Sequence, residues 1–212
     1  YSTDMGVDTI RRYASMFGLN RPSGIEIPET TPELTTEDPE RSAMGQGTNS
    51  YSNVQLSRYV AAIANSGTVY DLSLLDKMTD SEGNLIKDFT PEVTGHVDIA
   101  DSTWDAVHQG MRAVVTDGSV NKIFKDLEVE IAGKTGTAQQ STTHPDHGLF
   151  VGYAPSDDPE VAFAIRIKNG YESLYPSEIG RDLMRYYYGE TSRDELITGH
   201  ASAAGSSSTH GD

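Results

Sequence analysis

The residues with the clearest chemical potential are Lys134, Thr135, Gly136 and Thr137. An ammonium and neighbouring hydroxyls are donors that can hold a carboxylate. In a strand, the period of two residues places Lys134 and Gly136 on one side, where the glycine leaves room for a ligand against the backbone. At an exposed sheet edge an extended peptide can pair with such a strand, and an N–H near Thr137 can stabilise an oxyanion. The pattern favours a site for a carboxylate-ended peptide, although a Lys-Thr-Gly tripeptide also occurs in plain turns.

Two other patterns favour structural interpretations. His144 and His147 have a His-x-x-His spacing, but the intervening Pro145 and the lack of a third ligand nearby favour a solvated loop over a metal site. Ser119 and Lys122 have the Ser-x-x-Lys spacing of an activated serine, yet Ser119 lies only 15 positions before Lys134. This spacing does not support a catalytic arrangement, so a polar connection after a helix is favoured. We predict no metal and no cofactor.

Composition excludes several classes of function. The chain has 212 residues, 32 acidic against 16 basic side chains and a net charge of −16, which disfavours binding to nucleic acid and to anionic membrane surfaces. There is no cysteine, so disulfides, thiolate metal sites and cysteine nucleophiles are excluded. No stretch reaches the ~18 apolar residues of a membrane helix. The length predicts one domain, or one with an appendage.

The elements before the lysine run are mainly helical. Apolar spacing predicts helices over Val7–Phe17, over Leu56–Ala64 with a stop at Asn65–Gly67, and after a capping box at Ser102–Asp105. The buried stripe of the last helix is expected to comprise Trp104, Val107, Met111, Val114 and Val115. A short alternating piece is expected at Ile25–Ile27, and a hairpin turn at Asp80–Asn84.

The last third of the chain predicts three strands and a closing helix. The strands are expected over Val129–Ala138, Gly148–Ala154 and Val161–Lys168. The helix contains Pro176 in its first turn and stops at Gly189, and its inward residues are expected to be Ile179, Leu183, Met184 and Tyr187. In the run Tyr186–Tyr188 we expect one buried ring and two interfacial ones. Residues Ala201–Asp212 contain no large apolar side chain and should be disordered.

Several landmarks occur in an order that resembles the class B, monofunctional penicillin-binding proteins. The run KTGTAQ from Lys134 and the run His147–Pro155 resemble the end of their transpeptidase domain. Upstream, the matching landmarks are Phe17–Leu19, Ser23–Glu29, Met44–Gly47, Gln55–Gly67 and Gly110–Ser119. The resemblance covers about residues 7 to 188.

This resemblance implies serine acyl transfer in peptidoglycan cross-linking. In that family a serine attacks the penultimate D-alanine of a stem peptide, D-alanine leaves, and an amine of a neighbouring stem resolves the acyl-enzyme; β-lactams trap it. The third family motif maps onto Lys134, Thr135 and Gly136, and Thr137 lends its N–H to the oxyanion hole. Lys134 and the hydroxyls of Thr135 and Thr137 would receive the donor's carboxylate. The implied fold is α+β, an antiparallel sheet flanked by helices, related to serine β-lactamases.

The family's Ser-x-x-Lys nucleophile motif and its Ser-x-Asn motif are missing from their expected positions. They precede the landmark that begins here near Val7, and the chain starts at Tyr1 without methionine. We therefore interpret residues 1–190 as the C-terminal part of a transpeptidase domain, with three of the five sheet strands and no catalytic residue, followed by a flexible polar tail, 191–212. The parent is expected at the extracytoplasmic face of the bacterial membrane, anchored upstream, with cell-wall synthesis partners.

Two alternatives remain open from the sequence. One is a non-catalytic sensor or binding module that uses the same strand to bind peptidoglycan stems or β-lactams without turnover. The other is a serine β-lactamase, which shares the three-motif arrangement. The landmarks Met44–Gly47 and Gly110–Val115 favour the transpeptidase. An intact Ser-x-x-Lys and Ser-x-Asn upstream would distinguish an enzyme from a binding module.

Overall fold

Helices and short antiparallel sheets follow one another along the chain. The computed structural model describes residues 2–36, 39–140 and 142–197. The predicted tail from Ala201 onward lies outside these ranges. The elements are α1 (Ser2–Met16), α2 (Pro39–Ala43), α3 (Asn53–Ala64), β1 (Thr68–Tyr70), β2 (Lys77–Thr79), β3 (Leu85–Asp88), β4 (Val93–His96), α4 (Asp101–Thr116), α5 (Asn121–Phe124), β5 (Ala132–Ala138), β6 (His147–Ala154), β7 (Val161–Ile167), α6 (Leu174–Tyr187) and α7 (Arg193–Leu196). This content confirms the α+β class.

The chain divides into two compact units. The first unit runs from the N-terminus to His108 and includes Val161–Ala164; the second comprises Gln109–Glu160 and the chain from Ile165 onward. The boundary falls inside α4, where no proline or glycine-rich linker marks it in the sequence. Within the described ranges, no helix is long and apolar enough to cross a membrane.

The core of the first unit forms around the only tryptophan of the chain. Trp104 is buried with Ala62, Val69 and Val97. Phe17 packs edge-on against the Trp104 ring, with 6.1 Å between the ring centroids. Helix α3 begins with a capping box in which Ser52 and Gln55 satisfy each other's backbone amides. The predicted burial of Trp104 is therefore confirmed, together with that of Met111 and Val115, whereas Val107 and Val114 are half-buried.

A buried arginine holds the turn that follows α1. Arg58, on α3, is 1% exposed, and its guanidinium donates to the carbonyl oxygens of Pro22 at 2.8 Å, Arg21 at 3.0 Å and Gly18. Asp71 lies 3.6 Å from the same group. A planar group with five donors can satisfy several carbonyls at once, which explains an arginine at an otherwise apolar helix position.

Several boundaries in the first unit differ from the predictions. Helix α1 begins at Ser2 and is kinked at Gly6, where φ is 70°, and the piece after the kink agrees with the helix predicted from Val7. Residues 25–27 form no strand; the Glu26 carboxylate instead accepts hydrogen bonds from the Ser73 hydroxyl at 2.6 Å and from the Leu74 N–H at 2.9 Å. The capping box at Ser102 is wrong as well: α4 already begins at Asp101, and the Ala100 carbonyl accepts the first-turn amides.

The second unit contains β5, β6, the end of β7 and the helix α6. The strand order is β5-β6-β7, and β5 and β6 pair antiparallel in a continuous register from Ala132 opposite Tyr153 to Ala138 opposite His147. The strands predicted over Gly148–Ala154 and Val161–Lys168 agree with β6 and β7 to within one residue. The strand predicted from Val129 begins at Ala132 instead.

Helix α6 presents a different face to the core from the predicted one. Its buried residues are Pro176, Ser177, Gly180 and Met184. Of the residues expected to face inward, Ile179, Leu183 and Tyr187 are 42%, 46% and 59% exposed. Small side chains allow the helix to pack close to the sheet, so the buried stripe is rotated away from the bulky residues. Tyr186 is exposed too, which contradicts the interpretation of one buried ring and two interfacial ones.

The end of the described chain adds a short helix. Helix α7 has a capping box between Ser192 and Glu195, so part of the segment expected to be a flexible tail is helical. The Glu190 carboxylate lies nearby in sequence and accepts the Glu128 N–H at 3.0 Å, which ties this end of the chain to the segment before β5.

Candidate substrate-binding site

The predicted site residues all lie on β5, at the edge of the three-stranded sheet. Among the described residues, β5 pairs with β6 on one side and with no strand on the other. Lys134 is opposite Val151, and Gly136 is opposite Leu149. The two-residue period places Lys134 and Gly136 on one face, and Thr135 and Thr137 on the other.

Lys134 and Thr137 are exposed, whereas Thr135 and Gly136 are half-buried. The ammonium of Lys134 donates a hydrogen bond of 2.9 Å to the carbonyl oxygen of Thr135, its neighbour on the strand. The cation is thus held at the strand edge and is accessible to an incoming anion. A carboxylate at this edge would find a charged donor and hydroxyls within one strand.

Close packing beneath β5 fixes the position of the strand. Phe150, opposite Thr135, is fully buried and stacks on Phe124 with 5.3 Å between the ring centroids. A Cβ atom on Gly133 would lie 2.6 Å from the Phe150 ring, so only glycine fits there. On β6, a Cβ atom on Gly148 would lie 2.1 Å from the Glu172 carbonyl oxygen. The face of the sheet opposite Lys134 therefore tolerates no extra side-chain volume at these two positions.

The start of the strand is anchored by Arg112 on α4. Its guanidinium donates to the carbonyl oxygen of Ile131 at 2.8 Å and lies 3.1 Å from the carboxylate of Glu130. In the sequence, Arg112 lies in the landmark Gly110–Ser119, and no pattern there indicates its contact with the start of β5.

The end of the strand is held by His147, which was wrongly expected in a solvated loop. His147 is the first residue of β6 and is 5% exposed. Its Nε2 lies 2.6 Å from the Gln140 side-chain oxygen, and its Nδ1 accepts the Asn169 N–H at 3.0 Å. Its position at the head of an apolar run, His147–Ala154, was the sequence signal for burial.

The other sequence candidates are not assembled into a site. Ser119 and Lys122 are both exposed, near the turn between α4 and α5, and no hydrogen bond joins them. His144 is an exposed residue with a 3.1 Å contact to the Thr143 hydroxyl. Over the described part of the chain, no group of three His, Asp or Glu side chains could hold a metal ion.

Two surface cavities lie at either end of β5. One, of about 440 Å³, is lined by residues that include Arg112, Lys122 and Phe124. The other, of about 350 Å³, is lined by Gln140, His144, Pro145, Lys168 and Asn169. Neither includes Lys134, so the predicted site is an open strand edge.

The chain is similar in sequence to proteins of one known family. The family described as the penicillin binding protein transpeptidase domain matches residues 1–185. Penicillin-binding protein 2A of Bacillus subtilis is 32% identical over 85% of this chain and 28% of its own length. The peptidoglycan D,D-transpeptidase MrdA of Acinetobacter baumannii is 26% identical over 88% of this chain and 32% of its own length.

Solved structures show the same fold. Penicillin-binding protein 2B of Streptococcus pneumoniae strain R6 superposes with a TM-score of 0.76 at 27% identity, over 87% of this chain and 33% of that one. The chain thus spans about a third of the length of the relatives that it matches. A match over nearly all the described residues, in sequence and in fold, leads to one conclusion: this chain belongs to the transpeptidase domain family of the class B penicillin-binding proteins.

Proposed function

We propose that this chain is the carboxylate-binding part of a peptidoglycan D,D-transpeptidase, whose nucleophilic serine lies in sequence preceding it. The observation that carries the proposal is the exposed Lys134 ammonium on the edge strand β5, whose two ends are held by Arg112 and by the buried His147. The name of the Acinetobacter relative, a peptidoglycan D,D-transpeptidase, supports the same reaction.

In the proposed complex, the donor stem peptide lies extended along the free edge of β5. Lys134 exchanges its hydrogen bond with the Thr135 carbonyl for one with the terminal carboxylate of the peptide, and the hydroxyls of Thr135 and Thr137 contribute further donors. The N–H of Thr137 stabilises the oxyanion that forms when serine attacks the penultimate D-alanine carbonyl. The acyl-serine bond forms as the peptide bond to the last D-alanine breaks, and an amine then displaces the serine.

β-Lactams are expected to bind at the same edge, because they present a carboxylate beside a reactive acyl group. Stem peptides and β-lactams are therefore the proposed ligands. The proposed location is the outer face of the bacterial cell membrane, where peptidoglycan is cross-linked, with cell-wall synthesis proteins as partners.

Covalent labelling by a fluorescent penicillin tests the proposal. We expect the 212-residue chain to remain unlabelled, because Ser119 and Lys122 are both exposed and no hydrogen bond joins them, and the full-length parent protein to be labelled with one drug per molecule. Ser119→Ala in the parent is the control and should not reduce labelling. Labelling of the 212-residue chain at Ser119 would overturn the assignment of the nucleophile to preceding sequence.

The same experiment separates the alternatives. A parent protein that binds penicillin reversibly, without a covalent adduct, would be a sensor or binding module. Rapid hydrolysis of the drug with recovery of free enzyme would identify a β-lactamase. A long-lived adduct, together with release of D-alanine from a stem peptide, is the outcome expected of a transpeptidase.

A further inference from the structure

We propose that His147 is a positioning residue that fixes the C-terminal end of β5, where the proposed oxyanion donor Thr137 and the residues after it lie. The inference rests on the proposed function and adds to it a residue outside the Lys-Thr-Gly run. His147 pairs with Ala138, the last residue of β5, and its ring contacts two further segments of the chain.

The hydrogen bonds determine which tautomer the ring adopts. The N–H of Asn169 can only donate, so Nδ1 of His147 must be the unprotonated acceptor, at 3.0 Å. The proton is then on Nε2, which donates to the Gln140 side-chain oxygen at 2.6 Å. Gln140 lies two residues after the end of β5. A neutral imidazole therefore joins the end of β5 to the turn that follows β7.

The turn that follows β7 needs such support. Asn169 and Tyr171 have φ values of 55° and 68°, in the left-handed region that costs non-glycine residues free energy. The Tyr171 N–H donates to the Asp146 carbonyl at 3.0 Å, immediately before His147. The Glu172 carbonyl oxygen is the atom that excludes a side chain at Gly148. The turn after β7 thus packs against the start of β6 around His147.

Burial, together with two nearby cations, keeps the His147 ring neutral. Burial lowers the pKa of His147, and Arg166 on β7 and Lys168 after it act in the same direction, whereas Asp146 opposes them. Protonation would turn Nδ1 into a donor facing the Asn169 N–H, which breaks that hydrogen bond. Because the folded protein resists protonation, stability from this ring is present above the ordinary pKa of 6.5 and is lost as the pH falls below it.

The test is the rate of acylation by a fluorescent penicillin in the full-length parent protein, measured from pH 5 to pH 8. For His147→Leu we expect a loss of about tenfold at pH 7.5, because displacement of a reacting group by a fraction of an ångström has this order of effect. For His147→Asn, whose side-chain oxygen can accept the Asn169 N–H in place of Nδ1, we expect partial rescue.

The pH profile distinguishes positioning from general stability. The wild-type rate relative to that of His147→Leu should fall below pH 6.5, since only the wild-type ring titrates there. Equal rates for wild type and His147→Leu at a temperature below both melting transitions would overturn the inference, even if the melting temperature of the variant is lower.

A second measurement separates this inference from the proposed function. Amide hydrogen exchange at Ala138, Gln140 and Asn169 should accelerate in His147→Leu but remain close to wild type in His144→Leu, the matched surface control. If wild type is not acylated at all, the proposed function fails, and exchange still decides whether His147 holds β5. Unchanged exchange in His147→Leu would overturn the positioning role.

Discussion

At the residue scale, the proposed function depends on one cation on an acidic molecule. Lys134 is exposed, and its ammonium donates a hydrogen bond to the carbonyl of its own neighbour, Thr135. Such a side chain contributes little to folding, because exposed polar contacts exchange readily for contacts with water. We therefore propose that Lys134 acts in ligand binding and not in folding.

We therefore expect Lys134→Ala in the full-length protein to reduce acylation by penicillin by roughly 10- to 100-fold, the cost of losing a hydrogen bond between charged groups. The melting temperature should change by less than about 1 °C. Rates and thermal unfolding are measured on the same samples. Lys125→Ala is the control, since Lys125 is also exposed and lies directly after α5, outside β5. A large fall in melting temperature would mean that Lys134 is structural.

At the element scale, the sheet depends on two glycines that allow its strands to pack closely against their neighbours. Gly133 lies under the Phe150 ring, and Gly148 lies against the backbone of Glu172. A Cβ atom fits at neither position. Glycine at these two positions allows β5 and β6 to approach their neighbours closely.

Gly148→Ala is expected to lower the free energy of unfolding by about 1–3 kcal/mol, because the new methyl group must displace backbone. The control is Gly110→Ala: Gly110 lies on α4 with open space around it, so alanine should stabilise by about 0.5–1 kcal/mol through higher helix propensity. Urea unfolding measures both. A neutral Gly148→Ala would contradict the close packing of β6 against the turn.

The elements of the fold were largely predictable from local patterns. Alternation identified β7, and the apolar stripe through Trp104 and Met111 identified α4. The α6 stripe was wrong because helical periodicity records where bulky residues lie, whereas this helix packs through Ser177 and Gly180. Small residues carry no hydrophobic signal, so close helix packing is hard to read from a sequence.

The candidate site was predictable only in part. Lys134 to Thr137 form a continuous motif, and the structure places them on one edge strand. His147, by contrast, depends on Gln140 and on Asn169, 22 residues away, and a lone sequence cannot show that these meet. The same holds for Arg58, whose partners lie 36 to 40 residues upstream.

At the scale of the whole molecule, the charge balance and one apolar stripe act in opposite directions. The net charge of −16 keeps copies of the chain apart at neutral pH. Helix α6 nevertheless exposes a line of apolar side chains, Tyr175, Ile179, Leu183 and Tyr186, at helical spacing. Association should therefore appear when the charge is removed.

We predict that the chain precipitates near pH 4.6, its calculated isoelectric point, and that Leu183→Lys reduces this precipitation. Turbidity between pH 4 and pH 8 measures the effect. The matched control is Met44→Lys, which adds the same charge at a side chain 74% exposed and outside the α6 stripe. Equal improvement by both variants would mean that charge alone, and not the α6 stripe, controls association.

The hydrogen bond from Lys134 to Thr135 also bears on ligand selectivity. An unliganded edge whose cation is already satisfied gains only the difference between two hydrogen bonds when an anion arrives. Acetate and other small carboxylates should therefore compete poorly. An extended peptide recovers more, because it pairs with the backbone of β5 along its length. Because the Thr135 carbonyl competes with a ligand for the Lys134 ammonium, the strand edge should select long ligands over small ones and needs no enclosing pocket to do so.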